Sequence, residues 1–138
     1  MWLANVGKKG LPMTDDINPP GGILLVDDET ELLDLFEMVL VRLGNTLYKA
    51  NSGRRALEIL ENVRPDIIVL DLAMPEISGL DVLRAVRRRP ELNTVKIVIL
   101  TAVPVLLGKE DVEAVNAVLT KPITPRGLEQ AIRKLIGS

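Results

Sequence analysis

Apolar and polar positions divide this chain into two kinds of segment. Short unbroken apolar runs, rich in Ile, Val and Leu, occupy Ile23 to Val26, Ile67 to Leu70, Ile97 to Leu100 and Ala117 to Leu119. Runs of this length read as strands covered on both faces, the mark of a parallel sheet. The more mixed stretch Thr46 to Ala50 reads as a fifth strand at a sheet edge. Between the runs, apolar residues recur every three or four positions. Leu32, Leu33, Leu35, Phe36, Val39, Leu40 and Leu43 predict a first helix, with Glu29 and Glu31 at its positive end and Gly44 as its cap. Ser52 is placed to cap a second helix carrying Ala56, Leu57, Ile59, Leu60 and Val63. Gly79 supplies a permissive backbone before a third, with Leu80, Leu83 and Val86 on one side; Arg87, Arg88 and Arg89 close it and Pro90 stops it. Residues 102–114, with Pro104 and Gly108, leave room only for a short or irregular fourth helix. Thr124 and Pro125 open a last helix with Leu128, Ile132, Leu135 and Ile136 on one face and Gly137 at its end.

Strand and helix therefore alternate from Ile23 onward. Right-handed crossovers then place helices on both faces of a parallel sheet. Residues 1–22 lack this periodicity and end in Pro19-Pro20-Gly21-Gly22. They read as a flexible leader ahead of one domain at 23–138, with Met13 an alternative start.

Composition narrows the chemistry mainly through absences. The 138 residues include no Cys and no His. Thiol catalysis, disulfides, imidazole ligands and Ser-His triads are thereby excluded, and no phosphohistidine can form on this chain. Any bound metal must be held by oxygen, which favours Mg²⁺, Mn²⁺ or Ca²⁺ over zinc. A net charge of −2 argues against a general nucleic-acid binder. No apolar run approaches the roughly 18 residues of a membrane span, and no signal peptide is readable, so the expected compartment is the cytoplasm.

What the strand runs end in carries the functional signal. The first runs into Asp27-Asp28, the third into Asp71, the fourth into Thr101, and the last through Thr120 into Lys121-Pro122. In parallel α/β sheets the ligand site lies beyond the carboxyl ends of the strands. Three carboxylates, a hydroxyl and an ammonium are thus expected at one end of one sheet. Each has a plainer reading: Asp28 as a helix N-cap, Asp27 as a solvated turn residue, Asp71 and Thr101 bonded to their own turns, Lys121 as a surface charge. Those readings leave the shared location unexplained. Crowded carboxylates repel, and a divalent cation relieves the repulsion. Asp71 is then best placed as a nucleophile that accepts a phosphoryl group, with Asp27 and Asp28 on the metal and Thr101 and Lys121 on the phosphoryl oxygens.

Four elements occur in order: Ile23-Leu24-Leu25-Val26-Asp27-Asp28-Glu29; Pro65-Asp66-Ile67-Ile68-Val69-Leu70-Asp71-Leu72-Ala73-Met74-Pro75, followed by Gly79; Leu100-Thr101-Ala102; and Leu119-Thr120-Lys121-Pro122. Over about residues 23–137 the chain resembles the receiver domain of bacterial two-component response regulators. The resemblance implies a flavodoxin-like (βα)5 fold, a five-stranded parallel sheet of order 2-1-3-4-5. It implies Mg²⁺ at Asp27, Asp28, Asp71 and the backbone carbonyl of Ala73, and a cis peptide before Pro122. It also implies phosphorylation of Asp71 by a histidine kinase or phosphotransfer protein, with Thr101 and Lys121 assisting, and signalling through a downstream protein target. One position departs. The family usually carries an aromatic switch residue three before the lysine, and here that residue is Val118.

Two other readings stand beside this one. A pseudo-receiver would keep the fold as an interaction module without the chemistry; Val118 and the short fourth helix favour it, and the intact site residues oppose it. A Mg²⁺-dependent phosphohydrolase would also use an Asp after a strand, but one common pattern requires a second Asp at the position held by Ala73. The expected role is therefore a phosphoacceptor signalling domain, limited to its own phosphorylation and dephosphorylation, with no direct contact to nucleic acid and no membrane insertion.

Overall fold

The structure, a computed structural model, describes residues 21–137; most of the expected leader lies outside the described residues. The five apolar runs form strands β1 (Ile23–Val26), β2 (Leu47–Ala50), β3 (Ile67–Asp71), β4 (Lys96–Thr101) and β5 (Ala117–Thr120). All neighbours pair in parallel, in the order β2-β1-β3-β4-β5. The flavodoxin-like order expected from the resemblance is the one observed. Five helices connect and follow the strands: α1 (Thr30–Leu40), α2 (Gly53–Ile59), α3 (Gly79–Arg87), α4 (Lys109–Glu113) and α5 (Pro125–Gly137).

Alternation within each central strand divides the core in two. Leu24, Val26, Ile68, Leu70, Ile97 and Ile99 face Ala56, Leu60, Val82, Leu83 and Val86 on the α2–α3 side. Ile23, Leu25, Ile67, Val69, Val98 and Leu100 face Leu33, Phe36, Leu40, Leu128 and Ile132 on the α1–α5 side. The three central strands are buried almost throughout, as their unbroken apolar runs predict. Strand β5 differs from its sequence reading: its residues are only half-buried or exposed, because it lies at the sheet edge and the short α4 covers little of it.

The helix ends follow local chemistry. Ser52 accepts the Arg55 N–H at 3.0 Å, and Thr124 accepts the Gly127 N–H at 2.9 Å, as expected of N-caps. Gly44 takes φ of 80° after a 3-10 turn at Val41–Leu43. Helix α3 has a capping box that sequence reading missed: Ser78 Oγ accepts the Asp81 N–H and Asp81 Oδ2 accepts the Ser78 N–H. Two apolar positions assigned to buried faces are exposed instead, Leu35 at 49% and Ile136 at 45%. Each lies at the margin of its helix's stripe, and only the stripe's centre reaches the sheet.

Candidate functional site

Each site residue sits on or just after the last rung of a strand. The Asp27 N–H donates to the Ala50 carbonyl at 3.1 Å, which extends the β1–β2 ladder by one step and holds Asp27 in place. Asp71 closes β3, in register with Leu100. Thr101 closes β4, in register with Thr120, and its carbonyl accepts the Lys121 N–H at 2.9 Å. The Lys121–Pro122 peptide is cis, as the resemblance implies.

The side chains converge. One carboxylate oxygen each from Asp27, Asp28 and Asp71 lie within 4.8 Å of one another. Asp27, Asp71 and Thr101 are buried, at 2%, 3% and 1% exposure, whereas Asp28 is exposed. Asp27 is therefore no solvated turn residue. Asp28 does not cap α1, whose N-cap position is Glu29. Asp27 Oδ1 accepts the Glu29 N–H at 2.9 Å, and Asp27 Oδ2 accepts Lys121 Nζ at 2.9 Å. Lys121 Nζ lies 3.5 Å from Asp71 Oδ1, which also accepts the Ala73 N–H at 3.3 Å. Lys121 is thus no surface charge; its ammonium bridges two buried carboxylates. Thr101 Oγ1 accepts the Val103 N–H at 3.0 Å, which leaves its hydroxyl proton free to donate.

The charges are not balanced. Burial, then the neighbouring Asp27 charge, push the Asp71 carboxyl up to about 6; Lys121 and the Ala73 N–H pull the other way without cancelling them. Burial opposes the Lys121 charge, but its hydrogen bond to Asp27 and the charges of Asp27, Asp71 and Glu29 outweigh this and hold the ammonium above its usual range. Three carboxylates around one ammonium leave room for a further cation held by hard oxygen donors.

Gly79 supports the site in a way its sequence position does not reveal. Its backbone has no positive φ, so conformational freedom is not what it provides. A Cβ there would lie 2.0 Å from the Asp71 carbonyl oxygen and 2.7 Å from Leu72 Cα. The Gly79 N–H also donates to the Leu72 carbonyl at 3.0 Å. The N-terminus of α3 thus presses directly on the backbone that carries Asp71. Val118 lies half-buried in β5, paired with Ile99.

A doubly wound parallel sheet with carboxylates, a hydroxyl and an ammonium at its carboxyl end is a site class suited to binding phosphoryl groups and metals. Comparison makes the assignment specific: residues 23–133 match the response regulator receiver domain, and the chain belongs to that family of two-component signalling domains. The transcriptional regulatory protein AfsQ1 of Streptomyces coelicolor is 34% identical over 118 residues, covering 83% of this chain and 50% of that protein. An uncharacterised 14.6 kDa protein of Leptolyngbya boryana is 33% identical, covering 81% of this chain and 87% of its own. This chain spans about half the length of the AfsQ1 relative. Among solved structures, the chemotaxis response regulator CheY4 of Vibrio cholerae superposes with a TM-score of 0.75 at 26% identity, covering 85% of this chain and 99% of that one. The response regulator TrrA of Thermotoga maritima, in complex with Mg²⁺ and BeF, gives 0.72 at 30% identity, covering 83% and 98%. Among the described residues, no helix is long and apolar enough to cross a membrane.

Proposed function

We propose that this receiver domain takes a phosphoryl group onto Asp71 from a histidine kinase or phosphotransfer protein and signals by binding a downstream protein. The observation that carries the reading is the buried convergence of Asp27, Asp71, Thr101 and Lys121, four residues from four strands, beside the exposed Asp28. An Asp71 carboxylate oxygen attacks phosphorus; a P–O bond forms, the P–N bond to the donor imidazole breaks, and the imidazole leaves with a proton. Asp27, Asp28 and Asp71, with the Ala73 carbonyl, would hold Mg²⁺ or Mn²⁺, which supplies charge neutralisation for the incoming phosphoryl oxygens. Lys121 exchanges its contact with Asp27 for a phosphoryl oxygen, and the Thr101 hydroxyl donates to another. Incubation with a small phosphodonor and Mg²⁺ tests the reading: one hydroxylamine-sensitive phosphoryl group per chain, mapped to Asp71, is expected. A phosphoryl-free chain under those conditions supports the pseudo-receiver instead, and sustained turnover of a phosphate ester supports the hydrolase.

Metal removal has a defined expectation. A cation that binds the folded site alone stabilises the fold by about 1.4 kcal/mol at ten times its dissociation constant. Thermal melts in Mg²⁺ and in EDTA should differ accordingly, and Asp28→Ala should remove most of the difference. Equal melts in wild type would refute the metal assignment.

Without an aromatic at Val118, the response to phosphorylation is carried by the 102–108 loop and α4. Thr101 begins that segment, and its hydroxyl already holds the Val103 N–H. Beryllofluoride should change hydrogen exchange across 102–114 and spare α1. In Lys121→Ala the phosphoryl oxygens lose their ammonium, so the response at 102–114 should disappear, and in metal-free buffer the melting temperature should fall because the buried Asp27 carboxylate loses its 2.9 Å partner. A response equal to wild type would make Lys121 a bystander. The gain in partner affinity expected of such a shift is about 1–3 kcal/mol.

A further inference from the structure

Between α3 and α4 lies an open groove of about 570 Å³ whose lining includes no residue of the carboxylate cluster. The half-buried Ala114 lines it above the buried Leu83, and Arg84, Arg87, Arg88 and Lys109 supply four cations. Glu110 and Asp111 are the two anions that line it, so the groove residues sum to about +2 in a chain whose net charge is −2. The cations are poorly neutralised. Among the described residues, Arg88 and Lys109 have no carboxylate within ion-pair distance. Arg87 is half-buried, and its Nε donates at 2.8 Å to the Ala114 carbonyl, which is neutral. Burial pulls the Arg87 guanidinium below its usual range, as expected for a charge without a counter-charge. Arg84 approaches Asp111 through Nε and a terminal nitrogen, but both distances are long at 3.4 Å. Asp111 is already engaged by the Gly108 N–H at 3.0 Å.

We infer that this α3–α4 groove is an anion site for a phosphate-bearing ligand of nucleoside-diphosphate size, gripped by Arg84, Arg87 and Arg88 with Lys109 at the rim. Guanidinium forks at successive turns of one helix suit two adjacent phosphates, each offering paired oxygens. The half-buried Ala114 and the aliphatic stems of the surrounding arginines and Lys109 provide an apolar surface for a flat ring beside them. The terminal nitrogens of Arg87 remain available, since the Ala114 carbonyl takes only Nε. The bond from Arg87 to Ala114 and the pair from Arg84 to Asp111 also tie α4 to α3. A ligand that draws Arg84 from Asp111 loosens that tie, so the groove bears on the same loop and helix that follow Thr101.

The test uses the whole chain in EDTA at fixed ionic strength, which keeps metal out of the carboxylate cluster. Pyrophosphate, ADP and adenosine are titrated while backbone amide shifts are followed. Saturable shifts at 83–88 and 108–114 are expected with pyrophosphate, tighter with ADP, and absent with adenosine. Equal affinity for pyrophosphate and ADP would assign the site to inorganic phosphates rather than nucleotides. Arg88→Gln with Lys109→Gln, which breaks no bond between α3 and α4, should weaken binding at least tenfold with an unchanged melting temperature. Glu110→Gln, which removes a rim carboxylate, should tighten it about two- to threefold and serves as the control that needs no loss of fold. Diffuse, unsaturable shifts, or shifts centred on Asp71, would overturn the inference. So would binding of an acidic peptide with the same dependence on Arg88 and Lys109 but no response to pyrophosphate, which would make the groove a protein-docking surface.

Discussion

Replacing Asp71 with asparagine should abolish phosphoryl uptake and, at neutral pH without metal, raise the stability of the fold. Asparagine keeps the volume and the oxygen that accepts the Ala73 N–H, but its amide is no nucleophile toward phosphorus. The stability effect follows from linkage. The Asp71 carboxyl is shifted from 3.8 to about 6 in the folded chain, so across that interval the folded state binds more protons than the unfolded one. Stability therefore falls as pH rises through the interval, and the penalty is full above it. It amounts to on the order of 3 kcal/mol for a buried carboxylate shifted this far. Asp71→Asn removes the penalty; Lys121 retains its bond to Asp27. Urea melts in EDTA should show the variant more stable near neutrality, with the difference shrinking toward the ordinary carboxylate range. A variant less stable at neutral pH would mean that the Lys121–Asp71 attraction outweighs burial and the Asp27 charge. A variant that still incorporated phosphate with full stoichiometry would place the acceptor elsewhere.

The second large effect is expected at Gly79. A methyl group placed 2.0 Å from the Asp71 carbonyl oxygen cannot be absorbed by a side-chain rotation, because both groups it meets are backbone. Either α3 moves away or the end of β3 moves with Asp71. Overpacking of this kind costs about 1–3 kcal/mol and occasionally more. Gly79→Ala should reach the upper end of that range in chemical denaturation, and phosphoryl uptake should slow in whatever fraction remains folded. Gly44→Ala is the comparison: no atom lies within 4 Å of a Cβ there, so its cost comes only from a φ of 80° and leaves uptake unchanged. If Gly79→Ala melted and reacted as wild type, the pressure of α3 on the Asp71 backbone would be unimportant.

These two residues also mark what the chain reveals before it is folded. Strands β1, β3 and β4 were readable because burial on both faces writes itself as unbroken apolar runs, and the residues that end those runs pointed to one location. Ser52, Gly44 and Thr124 were readable because capping is local. The role of Gly79 was not, since it depends on the distance between two backbones rather than on the glycine's own torsions. Nor was the partner of Lys121: its 2.9 Å contact is with Asp27, and Asp71 lies farther, at 3.5 Å. The exposure of β5 was hidden because Ala117, Val118 and Leu119 look like core, although the expected strand order already put β5 at an edge. The α4 region was hard to read because five helical residues have little intrinsic stability. The ties that place it, Arg84 to Asp111 and Arg87 to the Ala114 carbonyl, each span 27 positions.

The bond from Lys121 to Asp27 joins residues 94 positions apart. Contacts of such separation form late in folding, because the loop they close must be ordered first. During synthesis, Asp27 and Asp71 leave the ribosome well before β5 does. A nascent chain can therefore display both acidic residues while still lacking their ammonium. Competence to carry a signal arrives with the last strand, and a chain stalled short of Lys121 would hold two crowded carboxylates with no counter-charge of its own.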